Sequence, residues 1–511
     1  MKNNNSDLSV TTRNSVFALL LQVINIGYGF LVPRFVLAYY GSELNGLVSS
    51  ITQFMQYFAM LESGLAVSAT YSLFNPLSDH DGTSCSRIIS ECAYDYDKIG
   101  VFFSALLLML AAIFPHFRNA SSLSYLDCSL LIISIGFSYL IQYFIFSKYR
   151  AFLTACQAQY ILSLCSILGL VVSTAAVYVC ILVLHTGIVA LKLVVALVPL
   201  IEYPIMAIYT RKHFPWIRME KPHNYRMIQN RGTAFVNEIM GVVFYSSPVL
   251  ILTAMENFLT VSVYAVYNLV YSGITTLFGT VNLAVSAMFG PYIAQNDDKL
   301  IRKRYAQFEG LYYYGSSLLL GCTCALTIPF IRIYTAGVHD VEYSVPVYAV
   351  LFAVNCWVNN SYTPQAIMIR AGGFFREVRI QTMIQTVLSV VLSLVLTPLY
   401  GIRGLLVSLI VSNLVRAAMA YDVIDYKLQY IDHVYSLKCL LISAVQMAVT
   451  AAVLPGILSV TVGTVDSFLD FIAGGFLSVL SGFLVMLVIL RIFDRPVIGQ
   501  MTMILRRYLK R

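Results

Sequence analysis

Charge is what this chain is short of. Only 11% of its 511 residues are Asp, Glu, Lys or Arg, and 59% are hydrophobic, giving a mean hydropathy of +0.76. Too few polar side chains remain to coat a soluble body of that length, which excludes an ordinary water-soluble globular enzyme. Long polar connections are missing as well. No outside connection exceeds about a dozen residues, and the longer inside ones are short too, 211–232 being a basic linker, so no extramembrane globular domain is expected. The G-x-x-x-x-G-K-[ST] phosphate loop is absent, which excludes ATP hydrolysis by that route. None of the ten cysteines belongs to a recognisable framework, and Cys322-x-Cys324 has no nearby His or second Cys pair to make a metal site. No cofactor and no metal are expected. Asp95-Tyr96-Asp97 has the D-x-D form of many glycosyltransferases but no surrounding α/β domain.

What is present is a repeated pair of long apolar stretches. Fourteen spans are expected, at about 15–40, 44–74, 99–117, 125–147, 156–183, 187–210, 233–255, 259–288, 307–334, 344–369, 380–398, 404–424, 438–460 and 467–490. Most reach the roughly 20 apolar residues needed to cross about 30 Å of hydrocarbon. The fold class is therefore all-α integral membrane. The polar start of the chain, before an apolar run too long for a signal peptide, reads as leading into a retained first span.

Basic residues orient the spans. Of the 33 Lys and Arg, 28 fall on the termini and the even-numbered connections or approach the membrane from that side; Arg34, Arg118, Lys192, Arg332 and Arg403 do not. Short loops rich in Lys and Arg stay in the cytoplasm, so both termini are expected there. The net charge of +8 then reports topology and attraction to anionic membrane lipids, with no nucleic-acid partner. His80, His213, His223 and His433 fall on the inner side and His116, His185 and His339 near the outer one, so no histidine proton relay is expected at mid-membrane. The 35 tyrosines mostly flank or line spans, as an interfacial aromatic belt does.

An internal repeat organises the spans. Arg13 before span 1 matches Arg231 before span 7, Arg150 after span 4 matches Arg370 after span 10, and Gly187 opening span 6 matches Gly401 opening span 12, at offsets of 218, 220 and 214. The expected division is a six-helix half at 1–211, a linker at 212–232, a second six-helix half at 233–425, and helices 13–14 with a basic tail at 426–511. Each repeat has an even number of spans, so the halves share an orientation, and transporters so built place the substrate path in a central cavity between them.

Specific residues then become familiar. Tyr40-Gly41-Ser42-Glu43-Leu44-Asn45-Gly46-Leu47, Leu61-Glu62-Ser63-Gly64-Leu65 and Asn75-Pro76-Leu77 resemble the opening of polysaccharide repeat-unit flippases of the multidrug/oligosaccharidyl-lipid/polysaccharide exporter superfamily. Asn359-Asn360, Ile369-Arg370-Ala371-Gly372-Gly373-Phe374 and Pro398-Leu399-Tyr400-Gly401-Ile402-Arg403-Gly404 are similar to the second half of the same family. The resemblance covers nearly the whole chain and implies six, six and two helices. It implies translocation of an undecaprenyl-pyrophosphate-linked oligosaccharide across the bacterial inner membrane, alongside polysaccharide polymerase and glycosyltransferases. One departure is Ser246-Ser247-Pro248, where relatives often carry an Asp in span 7.

Ionisable side chains inside spans cost several kcal/mol unless paired or wet, so each is a candidate. Arg34 lies roughly 10 Å below the outer surface at 1.5 Å per residue. It suits a pyrophosphate in fork geometry, or snorkelling to head groups. Lys192, in the outer third of span 6, has the same two readings, and the two cations are expected to share a wet, positive space. Glu62 lies about 20 Å deeper than Arg34, level with Gln22 and Asn25. It is either a protonatable coupling site or a hydrogen-bonded clamp. Glu202 aligns by the repeat with Arg416, which offers a gate-like ion pair. Glu238 and Glu309 lie near basic inner ends, which favours ion-paired surface residues. Asn268, Asn282, Asn355, Asn359 and Asn360 suit sugar hydroxyls or helix packing.

Three functions compete. A lipid-linked oligosaccharide flippase leads on the cations, the amides and the resemblance. A cation-coupled drug antiporter of the same superfamily would favour acids and an apolar pocket. A membrane polymerase or glycosyltransferase would show a large outside loop with catalytic residues, which this chain lacks.

Overall fold

The computed structural model describes residues 4–62, 64–117, 123–218, 231–294, 298–427, 432–461, 467–494 and 497–499. Among these every regular element is helical, and the chain forms two compact units, Met1–Leu250 and Ile251–Arg511. Eleven helices are long and apolar enough to cross a membrane. One of them, Thr12–Ser78, is 67 residues long and holds the expected spans 1 and 2 together. Large apolar side chains such as Leu108, Leu399 and Leu480 are more than 60% exposed, a surface that lipid rather than water would cover.

The first unit contains α1 (Asn4–Ala59), α2 (Leu65–Ser78), α3 (Gly82–Phe117), α4 (Tyr125–Ile141), α5 (Ser147–Ala155), α6 (Gln159–Leu182), α7 (Ile188–Leu197), α8 (Pro199–His213) and most of α9 (Arg231–Met255). The two spans within α1 meet at Gly41, whose φ of 82° and ψ of 175° end one helix and begin the next. Three expected spans are interrupted. Span 2 breaks through a tight turn at Met60–Glu62 and Gly64, where φ is 81°. Span 4 passes from α4 to α5 through a π-helical turn at Gln142–Phe146, and span 6 changes from α7 to α8 at Pro199. Proline removes a backbone donor, which explains the last of these. α1 packs on α6 and α4, α3 on α4, α2 on α5 and α3, and α7 on α4.

The second unit holds α10 (Phe258–Ala294), α11 (Asp298–Tyr334), α12 (Pro346–Ser361), α13 (Thr363–Ala371), α14 (Phe375–Tyr400), α15 (Ile402–Lys427), α16 (His433–Thr461) and α17 (Phe468–Phe493). Span 10 is α12 and α13, divided at Tyr362 just before Pro364. α14 and α15 run along each other through buried Ser389, Ser393, Thr397, Ser408 and Ser412, with Ser393 hydrogen-bonded to Ser408. Small polar residues let membrane helices approach closely where no hydrophobic driving force separates them from lipid. α11 packs on α16 and α17 in the same way, with Thr450 of α16 seated against Gly321 and Gly482.

Candidate functional site

In the second unit, residues from three helices converge on Arg416. Its Nη1 donates to Gln385 Oε1 at 2.6 Å, and its guanidinium lies 4.1 Å from the centre of the Tyr362 ring. Gln385 in turn donates to Asn413 Oδ1, and Asn413 Nδ2 donates to Asn355 Oδ1 at 3.0 Å. Two expected residues far apart in sequence, Asn355 and Arg416, are thus ends of one polar chain. Gln385 and Asn413 are 1% exposed and Arg416 is 7% exposed, whereas Asn355, Asn359 and Tyr362 are half-buried. Among the described residues Arg416 Nε and Asn359 Oδ1 are buried and have no hydrogen-bond partner. No carboxylate among them pairs with Arg416. The guanidinium is held by an amide oxygen and an aromatic face, contacts that orient it and leave its charge uncompensated.

Sequence periodicity placed none of Gln385, Asn413 or Tyr362. They are polar or aromatic residues in spans whose neighbours are apolar, and that contrast is the available signal. Of the other amide candidates of this unit, Asn268 is exposed on α10 and joins no part of the chain around Arg416, and Asn360 is buried and accepts from the Tyr312 hydroxyl at 3.1 Å.

The first unit carries a different cluster. Glu62 stands on the turn that interrupts span 2, within electrostatic reach of Tyr96, Tyr139 and Tyr143. Tyr143 belongs to the π-helical turn, stacks on Tyr96 with centroids 6.4 Å apart, and has a buried hydroxyl with no hydrogen-bond partner among the described residues. π-helical turns recur at functional sites because they re-aim side chains out of the regular ladder. Arg150 lies near both Tyr96 and Glu202. Glu202, in the first turn of α8, fits its carboxylate against the bare backbone of Gly169 on α6. Glu202 and Arg416 therefore each have an environment inside their own unit.

Arg34 on α1 and Lys192 on α7 are both half-buried, and no contact between them is present among the described residues. Asn25 is exposed and Gln22 half-buried on α1. Ser246, in the span-7 stretch that departs from the resembled family, is 1% exposed and donates to Gln56 Oε1 at 3.1 Å. The side chain of Glu238 lies outside the described residues. Glu309 overturns its expectation. It is 1% exposed, and Tyr305, Gln365 and Ser436, all neutral, supply its hydrogen bonds.

Solved structures share this arrangement of helices. A lipid II flippase MurJ in an inward closed conformation superposes with a TM-score of 0.68 at 14% identity, covering 95% of this chain and 99% of that one. An inward-facing multidrug resistance MATE transporter of the MOP superfamily gives 0.65 at 13% identity, covering 81% and 96%. A MOP-superfamily transporter from Pyrococcus furiosus, described with a binding pocket of reverse polarity, gives 0.51 at 13% identity, covering 81% and 94%. The fold is that of the MOP-superfamily exporters. No protein-family model and no curated protein matches the sequence. At such low identity the likeness fixes the path of the backbone and not the function.

A cavity of about 740 Å³ in the second unit is lined by α11, α12 and α16, including Ile328, Val350, Leu458 and Ala451, with Arg332 among its lining residues. Its walls are mostly apolar, and Arg332 is exposed near the C-terminal end of α11.

Proposed function

We propose that this protein flips an undecaprenyl-pyrophosphate-linked oligosaccharide across the bacterial inner membrane by alternating access, for cell-surface polysaccharide biosynthesis. Its termini lie in the cytoplasm, and its working partners are the glycosyltransferases that build the repeat unit and the polymerase that consumes it. Arg416 carries the reading. A guanidinium buried in a membrane protein without a counter-ion is costly, and a site that retains one favours an anionic cargo. Its fork geometry matches phosphate oxygens, and the amides beside it match sugar hydroxyls. The apolar cavity with Arg332 suits a lipid tail ending in an anionic head, and the likeness to a lipid II flippase supports the same class of cargo. A drug-cation antiporter would place carboxylates where this chain has Arg416 and amides.

The test is reconstitution of the full chain in vesicles with a fluorescent undecaprenyl-pyrophosphate-linked oligosaccharide. A membrane-impermeant quencher should reach the inner-leaflet fraction faster with wild-type protein than with Arg416→Ala. Uptake of a cationic dye such as ethidium with no acceleration of lipid flipping would overturn the proposal.

A further inference from the structure

The mechanism outlined above leaves Glu309 unused, and no other buried group in the second unit is surrounded so completely. Its Oε1 accepts from the Tyr305 hydroxyl at 3.2 Å and from Gln365 Nε2 at 2.9 Å, and its Oε2 accepts from the Ser436 hydroxyl at 2.6 Å. Three helices, α11, α13 and α16, supply those donors. Gln365 also donates to Tyr313, which donates to Ser361 O and meets the Tyr421 hydroxyl of α15 at 3.0 Å. Every bonded partner of the carboxyl is neutral. The nearest acid–base pair, Arg302 with Asp432 at 3.5 Å, involves the neighbouring carboxylate instead.

A route to solvent exists on one side only among the described cavities. A pocket of about 390 Å³ is lined by Lys299, Arg302, Lys303, Tyr305, Ala306, Glu309, Asp432 and Tyr435, and so joins exposed basic residues to the buried carboxyl. The charge asymmetry assigns that end of α11 to the cytoplasm. Three hydrogen bonds occupy three of the four lone-pair directions of a carboxylate, leaving one on Oε2.

We propose that Glu309 is a proton-exchange site, loaded from the basic face through this pocket. A hydronium in the pocket gives its proton to Oε2: its O–H bond breaks as the carboxyl O–H bond forms, a neutral water is left, and the reverse step returns the proton to water on the same side. A metal cation fits less well: the partners present hydrogens rather than oxygens to the carboxyl, and the three basic residues at the mouth repel cations that cannot hop along hydroxyls. The ionisable groups around the site are Tyr305 and Tyr313 of α11, Tyr421 of α15, Tyr435 and Cys439 of α16, Asp432 before it, and the three basic residues at the mouth. The inference concerns energy coupling and stands whatever cargo is moved.

Infrared difference titration of the purified full chain in nanodiscs tests it. Wild-type protein should show the carbonyl stretch of a neutral carboxyl that disappears on raising the pH, and Glu309→Gln, folded as judged by its elution and melting temperature, should lack that component. Ser436→Ala, which removes the donor to Oε2, should move the midpoint of the same band by about one unit of pH. Superimposable spectra for wild type and Glu309→Gln, with an unmoved midpoint in Ser436→Ala, would overturn the proposal. So would loss of the band when sodium replaces choline at constant pH and ionic strength, since the ligand would then be a metal cation.

Discussion

The carboxylate of Glu202 fills the space that a side chain at Gly169 would need. α6 and α8 are thereby locked at a distance that only a glycine permits, with a charged group as the key. Gly169→Ala should push the carboxylate aside and away from Arg150 at a cost of about 1–2 kcal/mol, as overpacking of a tight contact does. The double variant Gly169→Ala/Glu202→Ala should recover part of that loss, because the two positions share one contact. Thermal melts of the four proteins in detergent check this, and strict additivity would refute it.

The charge asymmetry predicts that the connection 211–232 lies inside. Maleimide should label Lys221→Cys only after lysis of the cells, whereas labelling in intact cells would reverse the topology.

Arg416 should tolerate Lys poorly. Lysine keeps the charge, but it loses the planar face stacked on Tyr362 and the fork that reaches Gln385 while leaving Nε for a ligand. Arg416→Ala should lower surface polysaccharide about tenfold or more at matched protein level, since a hydrogen bond to a charged group contributes about 1.5–3 kcal/mol. Arg416→Lys should fall between. Unchanged export in both variants would remove Arg416 from the cargo site.

Most of the spans and their order were legible because hydropathy reports how far along the membrane normal a residue lies. The interruptions at 60–64, 142–146 and 362 were not, because a broken helix in hydrocarbon needs the same apolar composition as an unbroken one. Radial position was the harder problem. Glu309 follows Lys299, Arg302, Lys303 and Arg304 closely in sequence, yet it lies between buried Tyr305 and Tyr313, one turn before and one turn after it on the same stripe. The triple Tyr312-Tyr313-Tyr314 was the hint, since each is buried, Tyr312 and Tyr313 being tied to α12 and Tyr314 to Asp494 just after α17. Asn355 and Arg416 were singled out separately, for amide richness and for repeat alignment. Their connection runs through Asn413, a link that no spacing in a single span reveals.

Glu62 and Glu309 now divide the two roles that a buried carboxyl can play, and the division is measurable. Glu62 stands on a backbone break set by Gly64, half-buried, near three tyrosines carried by α3, α4 and the π-helical turn. If that carboxyl is a clamp, glutamine offers the same shape and the same acceptor oxygen. Glu62→Gln should therefore keep export within about twofold, whereas Gly64→Ala, forced to hold a positive φ, should destabilise the break by about 1 kcal/mol and lower export with it. Glu309→Gln should leave the protein folded and inserted but remove the acceleration of lipid flipping by an imposed pH gradient, because glutamine cannot carry the proton. The comparison is one experiment on vesicles with and without a gradient. Should Glu62→Gln lose the gradient response while Glu309→Gln keeps it, the coupling site belongs to the first unit and Glu309 is the clamp.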